Sequence, residues 1–302
     1  MTPVFTSSLP KSAYLRLLEY QRATKVNPYD PDFPLVLFIS FSRVAAGFSL
    51  VSLFFPGSIL WTGISFGCMM LATFASIAHL SVPQRFMTMI INSQSYLVWE
   101  IRLAGAFTAF LGLQLLSGLG WFHPFRFYFP WINFALSILF LISTGWAYRF
   151  ETHPAWKTSL LPLYYLTSAL MIGLGLRSVQ YPAKEIPFLF AALLLVKGLL
   201  LVLYRNHLKV TSPISLEKIV ADKERWAFLA FFWTDLLLPA LLTFSLLIER
   251  EFVIFHCLLI TSCLVGLFFE RILFFRVERP VFFLSFIRNP DRGETRPYWI
   301  RG

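Results

Sequence analysis

The chain has 302 residues, of which 57% are hydrophobic and 14% are charged, and its formal net charge is +10. This composition is too apolar for an ordinary soluble domain, in which about a quarter of the residues are charged. The positive charge does not indicate nucleic-acid binding, because little chain remains outside the apolar stretches to present a basic patch. The sequence therefore predicts an integral membrane protein.

Eight apolar stretches follow one another along the chain. Crossing a hydrocarbon core of about 30 Å takes about 20 helical residues, and each stretch comes close to that length. We predict membrane spans at residues 33–55, 57–80, 96–117, 128–147, 157–176, 186–204, 226–247 and 252–275. We expect an all-α integral membrane protein whose eight transmembrane helices form two four-helix bundles.

The predicted spans divide the chain into three parts. Residues 1–32 form an N-terminal extension, in which residues 11–20 (KSAYLRLLEY) are predicted to form an amphipathic surface helix that the proline-rich run 27–34 breaks. Residues 33–275 form the eight-helix membrane anchor, and residues 276–302 form a basic tail. No cleavable signal peptide is expected, because the first apolar stretch is long enough to span.

Lysine and arginine are distributed unevenly between the two membrane faces. With eight spans, both termini share a face with the second, fourth and sixth loops, and we call this the basic face. It carries 18 of these residues against 4 on the opposite face, and the remaining 4 lie within spans. The positive-inside rule then predicts a multi-pass protein of the cell (inner) membrane with both termini in the cytoplasm.

Almost every ionisable residue inside the spans lies in the half nearer the basic face, whereas the other half carries mainly Leu, Phe, Ile and Gly. Charges inside a membrane are costly and mark functional sites. The residues concerned are Arg43, His79, Glu100, Arg102, Lys197, Asp235, Glu270 and Arg271. The one-sided distribution predicts a pocket open to one leaflet, rather than a channel across the bilayer or a transporter site at the midplane on interrupted helices.

Such a pocket suits a quinone, whose isoprenoid tail stays in hydrocarbon while its ring needs hydrogen bonds and proton exchange. Histidine titrates near neutral pH, and a buried carboxylate can also do so. His79 and Glu100 flank one short loop, so we predict that both exchange protons with the ring. Arg43 or Arg102 would orient the ring or keep a neighbouring carboxylate ionised.

Other interpretations of these residues remain open. His79 could simply cap a helix end, and Glu270 and Arg271 could stabilise the end of another helix at the interface. Lys197 and Asp235 are expected to form a structural ion pair between helices, but they could instead be the centre of a small secondary transporter. The chain could also be an inert structural anchor, with quinone bound at a subunit boundary elsewhere.

The sequence does not indicate a redox metal in this chain. Its three cysteines lack metal-ligand spacing, and an iron–sulfur cluster needs about four thiolates. Haem b would usually take two axial histidines, but only His256 lies well inside a predicted span. We therefore expect no haem, no iron–sulfur cluster and no metal ligand.

Two segments resemble a known family. Residues 78–85 (AHLSVPQR), followed by Asn92 and residues 95–101 (SYLVWEI), resemble the second-loop signature of the membrane-anchor subunits of dimethyl-sulfoxide-reductase-type molybdoenzymes. Residues 266–275 (GLFFERILFF) are similar to the closing segment of that family, and the similarity extends over about residues 34–277. Ser81, where the family often has glycine, and the N-terminal extension depart from the pattern.

The resemblance implies an integral anchor that holds an iron–sulfur subunit, which in turn holds a molybdopterin catalytic subunit. Electrons would pass between membrane quinone (menaquinone or ubiquinone) and the nearest cluster. The family's quinol-site histidine and acid fall on His79 and Glu100, and its proline and arginine fall on Pro83 and Arg85, which would face the partner. A cytoplasmic orientation resembles the sulfite-oxidising members, and the chain itself would be the metal-free subunit of the oxidoreductase.

Overall fold

The structure is a computed structural model that describes residues 33–55, 58–79, 96–148, 155–180, 185–212, 225–248 and 253–277. Among these residues there is no β-strand, and eight helices are long and apolar enough to cross a membrane, which confirms the predicted fold class. The helices are α1 (Phe33–Ser52), α2 (Ile59–His79), α3 (Tyr96–Gly118), α4 (Tyr128–Ala147), α5 (Leu160–Gln180), α6 (Glu185–Thr211), α7 (Arg225–Ile248) and α8 (Val253–Val277).

The helices pack as two groups of four. In the first group α1 contacts α2, α2 contacts α3, α3 contacts α4, and α4 returns to α1. The second group repeats this order from α5 to α8. Helices α1 and α5 are the most buried and contact each other, so they form the centre of the junction between the bundles. Helices α1, α3, α5 and α7 begin at the basic face.

Two glycines bring α1 and α5 into backbone contact. A Cβ atom at Gly47 would lie 2.0 Å from the carbonyl oxygen of Ala169, and one at Gly173 would lie 2.1 Å from the carbonyl oxygen of Gly47. Small residues permit such close approach between membrane helices, where packing drives association in place of the hydrophobic effect. The two glycines therefore set the separation of the bundles at their centre.

Helix α7 is interrupted near its middle. It is α-helical over Arg225–Phe232, π-helical over Trp233–Leu237, and α-helical again over Leu238–Ile248. The cause is local, because Pro239 has no N–H to donate to the carbonyl of Asp235, four residues earlier, and its ring would clash with that carbonyl. A Cβ atom at Gly266 of α8 would lie 2.5 Å from the Asp235 Cβ. Only a glycine at this position therefore leaves space for the π-helical turn.

Two predicted spans end four or more residues before the observed helices do. Helix α5 ends at Gln180 rather than at 176, which brings Arg177 from a predicted loop into the helix. Helix α6 continues to Thr211, seven residues beyond the predicted end. Hydropathy marks where hydrocarbon ends, whereas a helix can continue into the polar interface because its backbone hydrogen bonds do not require apolar side chains.

Candidate functional site

Five of the charged residues that the sequence analysis identified lie together. Arg43 of α1, Lys197 of α6, Asp235 of α7, and Glu270 and Arg271 of α8 are each at most 6% exposed, and we call these five the ion network. The network lies where α1 meets the second bundle. Buried charges in a membrane protein are tolerated only when they are paired, so the contacts within the network explain how it is stable.

The Glu270 carboxylate is the centre of the network. Arg43 donates from Nη1 to Glu270 Oε1 at 2.7 Å, and Arg271 donates from Nη2 to the same oxygen. Lys197 Nζ lies 3.8 Å from Oε2, and the Ser168 hydroxyl donates to Oε2 at 3.5 Å. One carboxylate therefore faces three cations, which come from helices α1, α6 and α8.

Tyr165 of α5 contacts both guanidinium groups. The Arg43 guanidinium carbon is 3.7 Å from the centre of its ring, and the Arg271 guanidinium carbon is 4.7 Å from it. Arg271 also donates from Nη1 to the Tyr165 hydroxyl at 2.6 Å. The ring partly offsets the charge of both cations through cation–π contacts. Sequence reasoning missed Tyr165, although a tyrosine inside a span needs a polar partner.

Lys197 and Asp235 form the predicted ion pair, and the Lys197 ammonium also lies 5.3 Å from the centre of the Tyr164 ring. The pair lies at the deep end of the half in which the sequence analysis placed it. Asp235 is ten residues from the start of α7, or about 15 Å, which is half the hydrocarbon core. The pair therefore lies near the midplane on an interrupted helix, a pattern that the sequence analysis did not find.

Glu100 is buried in the first bundle, apart from the ion network. It is four residues from the start of α3, only 2% exposed, and next to Thr144 of α4. Within the described part of the chain, its Oε1 atom has no hydrogen-bond partner. A buried carboxylate oxygen without a partner is costly, so this oxygen is available to a proton or to a ligand donor.

Tyr148 lies within electrostatic range of both Glu100 and the ion network. It follows directly after the end of α4, and the charged groups that act on its hydroxyl include Glu100, Arg271 and Arg43. Burial raises the pKa of Tyr148 well above its ordinary value, and the neighbouring carboxylate adds to this effect. The hydroxyl group therefore stays protonated at neutral pH and can act as a hydrogen-bond donor.

Three aromatic rings hold Tyr148 in place. Its ring centre lies 6.1 Å from Trp156, 5.9 Å from Phe274 and 6.1 Å from Phe275, each in an edge-to-face arrangement. The Trp156 indole donates to the carbonyl oxygen of Phe274 at 3.3 Å. Sequence reasoning missed Tyr148 and Trp156 because aromatic residues at span ends are common interfacial anchors and give no functional signal by themselves.

The predicted quinone-binding residues occupy different environments. Arg43 belongs to the ion network, whereas Arg102 is half-buried, with its guanidinium carbon 5.6 Å from the centre of the exposed Trp99 ring. Glu100 and Arg102 point in different directions because residues two apart on a helix are rotated by about 200°. His79 is the last residue of α2, but its side chain lies outside the described residues. Pro83 and Arg85 lie outside them entirely.

Polar residues also lie near the opposite face. Arg177 and His256 are buried near the ends of α5 and α8, and Arg177 bonds to Gln180. An apolar cluster separates them from the ion network along the same helices, and it includes Ile172, Leu174, Leu242, Leu246, Leu259 and Leu267. Apolar side chains therefore lie between the ion network and these buried polar residues along the same helices.

The described ranges contain no metal centre, because no three of their His, Cys, Asp or Glu side chains come close enough together to hold a metal ion. No protein-family model matches the chain, and no curated protein is significantly similar to it. The resemblance to the molybdoenzyme anchors, and the expectation that the chain has no redox metal, therefore stay predictions.

Proposed function

We propose that this chain is the quinone-reactive membrane anchor of a multi-subunit oxidoreductase. Its partners would be an iron–sulfur subunit and a molybdopterin catalytic subunit, and electrons would pass between membrane quinone and the nearest cluster. The observation that supports this proposal best is Glu100, a buried carboxylate about 6 Å from the start of α3 at the basic face, with one oxygen that no described group occupies.

The surroundings of Glu100 suit the proton chemistry of a quinol. Oxidation of a quinol sends two electrons to the partner's cluster and releases two protons. Glu100 would accept a proton from the ring hydroxyl and pass it to water at the nearby basic face, while the Tyr148 hydroxyl would donate a hydrogen bond. His79 would be the second proton acceptor, on the side of the loop that joins α2 and α3.

The charge distribution supports docking and orientation at the basic face. In the described part of the chain, the exposed cations near that face are Lys157, Arg205, Lys209 and Arg225. The described acids are Glu100, Asp235 and Glu270, which are buried, and Glu185, which begins α6 at the opposite face. This asymmetry agrees with a cytoplasmic basic face in the inner membrane.

Turnover of the intact complex tests the proposal. We expect Glu100→Gln to lower quinol-linked electron transfer at least about a hundredfold, within the range that general acid–base groups contribute. Iron and molybdenum should still co-purify with the variant, which would show that assembly is intact. Glu185→Gln is the matched control because this acid is exposed at the opposite face. Normal turnover by an assembled Glu100→Gln complex would overturn the proposal.

A small secondary transporter is the second candidate, and the midplane position of the Lys197–Asp235 pair on an interrupted helix favours it. Substrate uptake by the isolated chain in liposomes, abolished by Asp235→Asn, would support this function. An inert structural anchor would show neither uptake nor any dependence of quinol turnover on Glu100.

A further inference from the structure

The ion network carries one positive charge more than its own acids balance. Its cations are two arginines and a lysine, whereas its anions are Asp235 and Glu270. In the part of the chain that the structure describes, the remaining buried acid is Glu100, which lies apart from the network. A buried charge without a counter-ion is costly, so one further negative charge would stabilise the network.

Arg43 has an unoccupied edge within this network. Its Nη1 atom donates to Glu270, and its guanidinium carbon lies 3.7 Å from the centre of the Tyr165 ring. Nε and Nη2 have no hydrogen-bond partner among the described residues, although the side chain is only 1% exposed. These two nitrogens share one edge of the planar group, and two parallel N–H bonds on such an edge are suited to an anion. Buried donors without a partner are costly, so this edge needs an acceptor.

The neighbouring groups favour Arg43 over Arg271 as the place for an anion. On Arg271 only Nε is unmet, because both of its Nη atoms donate, one to Tyr165 and the other to Glu270. On α1, Ser40 lies three residues before Arg43, one turn nearer the basic face, and its buried hydroxyl also has no partner in the described part of the chain. Arg43 therefore offers two donors on one edge, with a third donor on the adjacent turn.

We propose that the Nε–Nη2 edge of Arg43 binds a small monovalent anion such as chloride. The anion accepts hydrogen bonds from both nitrogens and supplies the negative charge that the ion network lacks. A water molecule could accept the same hydrogen bonds, but it would leave the excess charge in place. Arg43 is ten residues into α1, or about 15 Å from the basic face, and an anion of a single atom needs the least room at this depth. The site is independent of the quinone proposal, because it uses neither His79 nor Glu100.

Anomalous diffraction from bromide tests the site directly, since bromide is a halide that can be located by its own scattering. Crystals of the purified full chain are grown in sodium bromide. We expect an anomalous peak within hydrogen-bonding distance of both Nε and Nη2 of Arg43. A water molecule at this edge, with no bromide peak, would overturn the proposal.

Thermal unfolding in detergent measures the affinity for chloride in solution. Sodium chloride replaces sodium gluconate at constant ionic strength, and we expect the unfolding midpoint to rise because the anion binds only the folded chain. Arg43→Lys keeps the charge but loses the two-donor edge, so it should lower the chloride affinity at least about tenfold, the effect of one charge-assisted hydrogen bond. Lys197→Met removes the excess charge and should weaken binding, whereas Asp235→Asn increases the excess and should strengthen it.

Arg126→Gln is the matched control, because it removes an exposed cation near the opposite face. Its midpoint should depend on chloride as that of the unaltered chain does. An equal chloride affinity in Arg43→Lys, or a change in the same direction in Lys197→Met and Asp235→Asn, would overturn the proposal. If Arg43→Lys does not fold, the bromide peak of the unaltered chain decides the question.

Discussion

Arg43 of α1 and Glu270 of α8 form a buried ion pair of 2.7 Å that joins the two four-helix bundles. The residues are 227 positions apart in the chain, and both are almost completely buried. Because Glu270 also faces Lys197 and Arg271, it is the anion on which most of the network depends. We expect the loss of this carboxylate to weaken the junction between the bundles.

Glu270→Gln should therefore lower the free energy of unfolding by about 3–5 kcal/mol, the usual cost of leaving a buried charge without its partner. Thermal unfolding in detergent measures the effect, with Glu185→Gln as the exposed control. A double replacement, Arg43→Met with Glu270→Gln, removes one cation as well and should recover part of the loss. Equal stability of Glu270→Gln and Glu185→Gln would contradict the central place of Glu270.

The Lys197–Asp235 pair should behave as a coupled unit. Lys197→Met or Asp235→Leu alone leaves a charge near the midplane, whereas the double variant leaves neither. We expect the double variant to be more stable than either single variant. Thermal unfolding of the unaltered protein, the two single variants and the double variant measures this as a double-mutant cycle. Strict additivity would show that the two residues do not interact.

The contact of α1 with α5 should not tolerate a methyl group. Gly47→Ala would place a Cβ atom 2.0 Å from the Ala169 carbonyl oxygen, so the helices must separate, at a cost of about 1–3 kcal/mol or more. Gly198→Ala meets nothing within 4 Å and should be neutral or slightly stabilising, because alanine favours helix over glycine. Unfolding midpoints of the two variants provide the comparison, and the same midpoint for both would refute the close packing.

Tyr148→Phe should lower quinol-linked turnover without destabilising the protein. The substitution removes the hydroxyl near Glu100 but keeps the ring against Trp156, Phe274 and Phe275. Because the pKa of Tyr148 is raised, its hydroxyl stays protonated up to at least about pH 10, and no alkaline loss of turnover should come from this residue. The pH profile of kcat/KM for both proteins measures this. An alkaline limb that disappears in Tyr148→Phe would contradict the assignment.

The eight spans could be predicted from the sequence, because each requires a long apolar stretch that hydropathy detects directly. The charged residues of the ion network could also be identified, since charges within apolar stretches stand out. The pairing of Arg43 with Glu270 could not be predicted, because hydropathy carries no information about which helices are neighbours. Tyr165 and Tyr148 were missed for the same reason, since their roles depend on residues of other helices.

The interruption of α7 at Asp235 could have been predicted and was not. Pro239 lies inside a span, four residues after Asp235, and such a proline removes a backbone hydrogen bond to the earlier carbonyl. The sequence therefore contained a signal for this interruption.

Photo-labelling of the intact complex with an azido-quinone, followed by peptide mapping, tests most directly where the quinone binds. We expect the label to attach near Glu100 and Tyr148, at the start of α3 and the end of α4, and excess unlabelled quinone to prevent it. Specific labelling around Lys197 and Asp235 instead, with none near Glu100, would contradict the proposed quinone site.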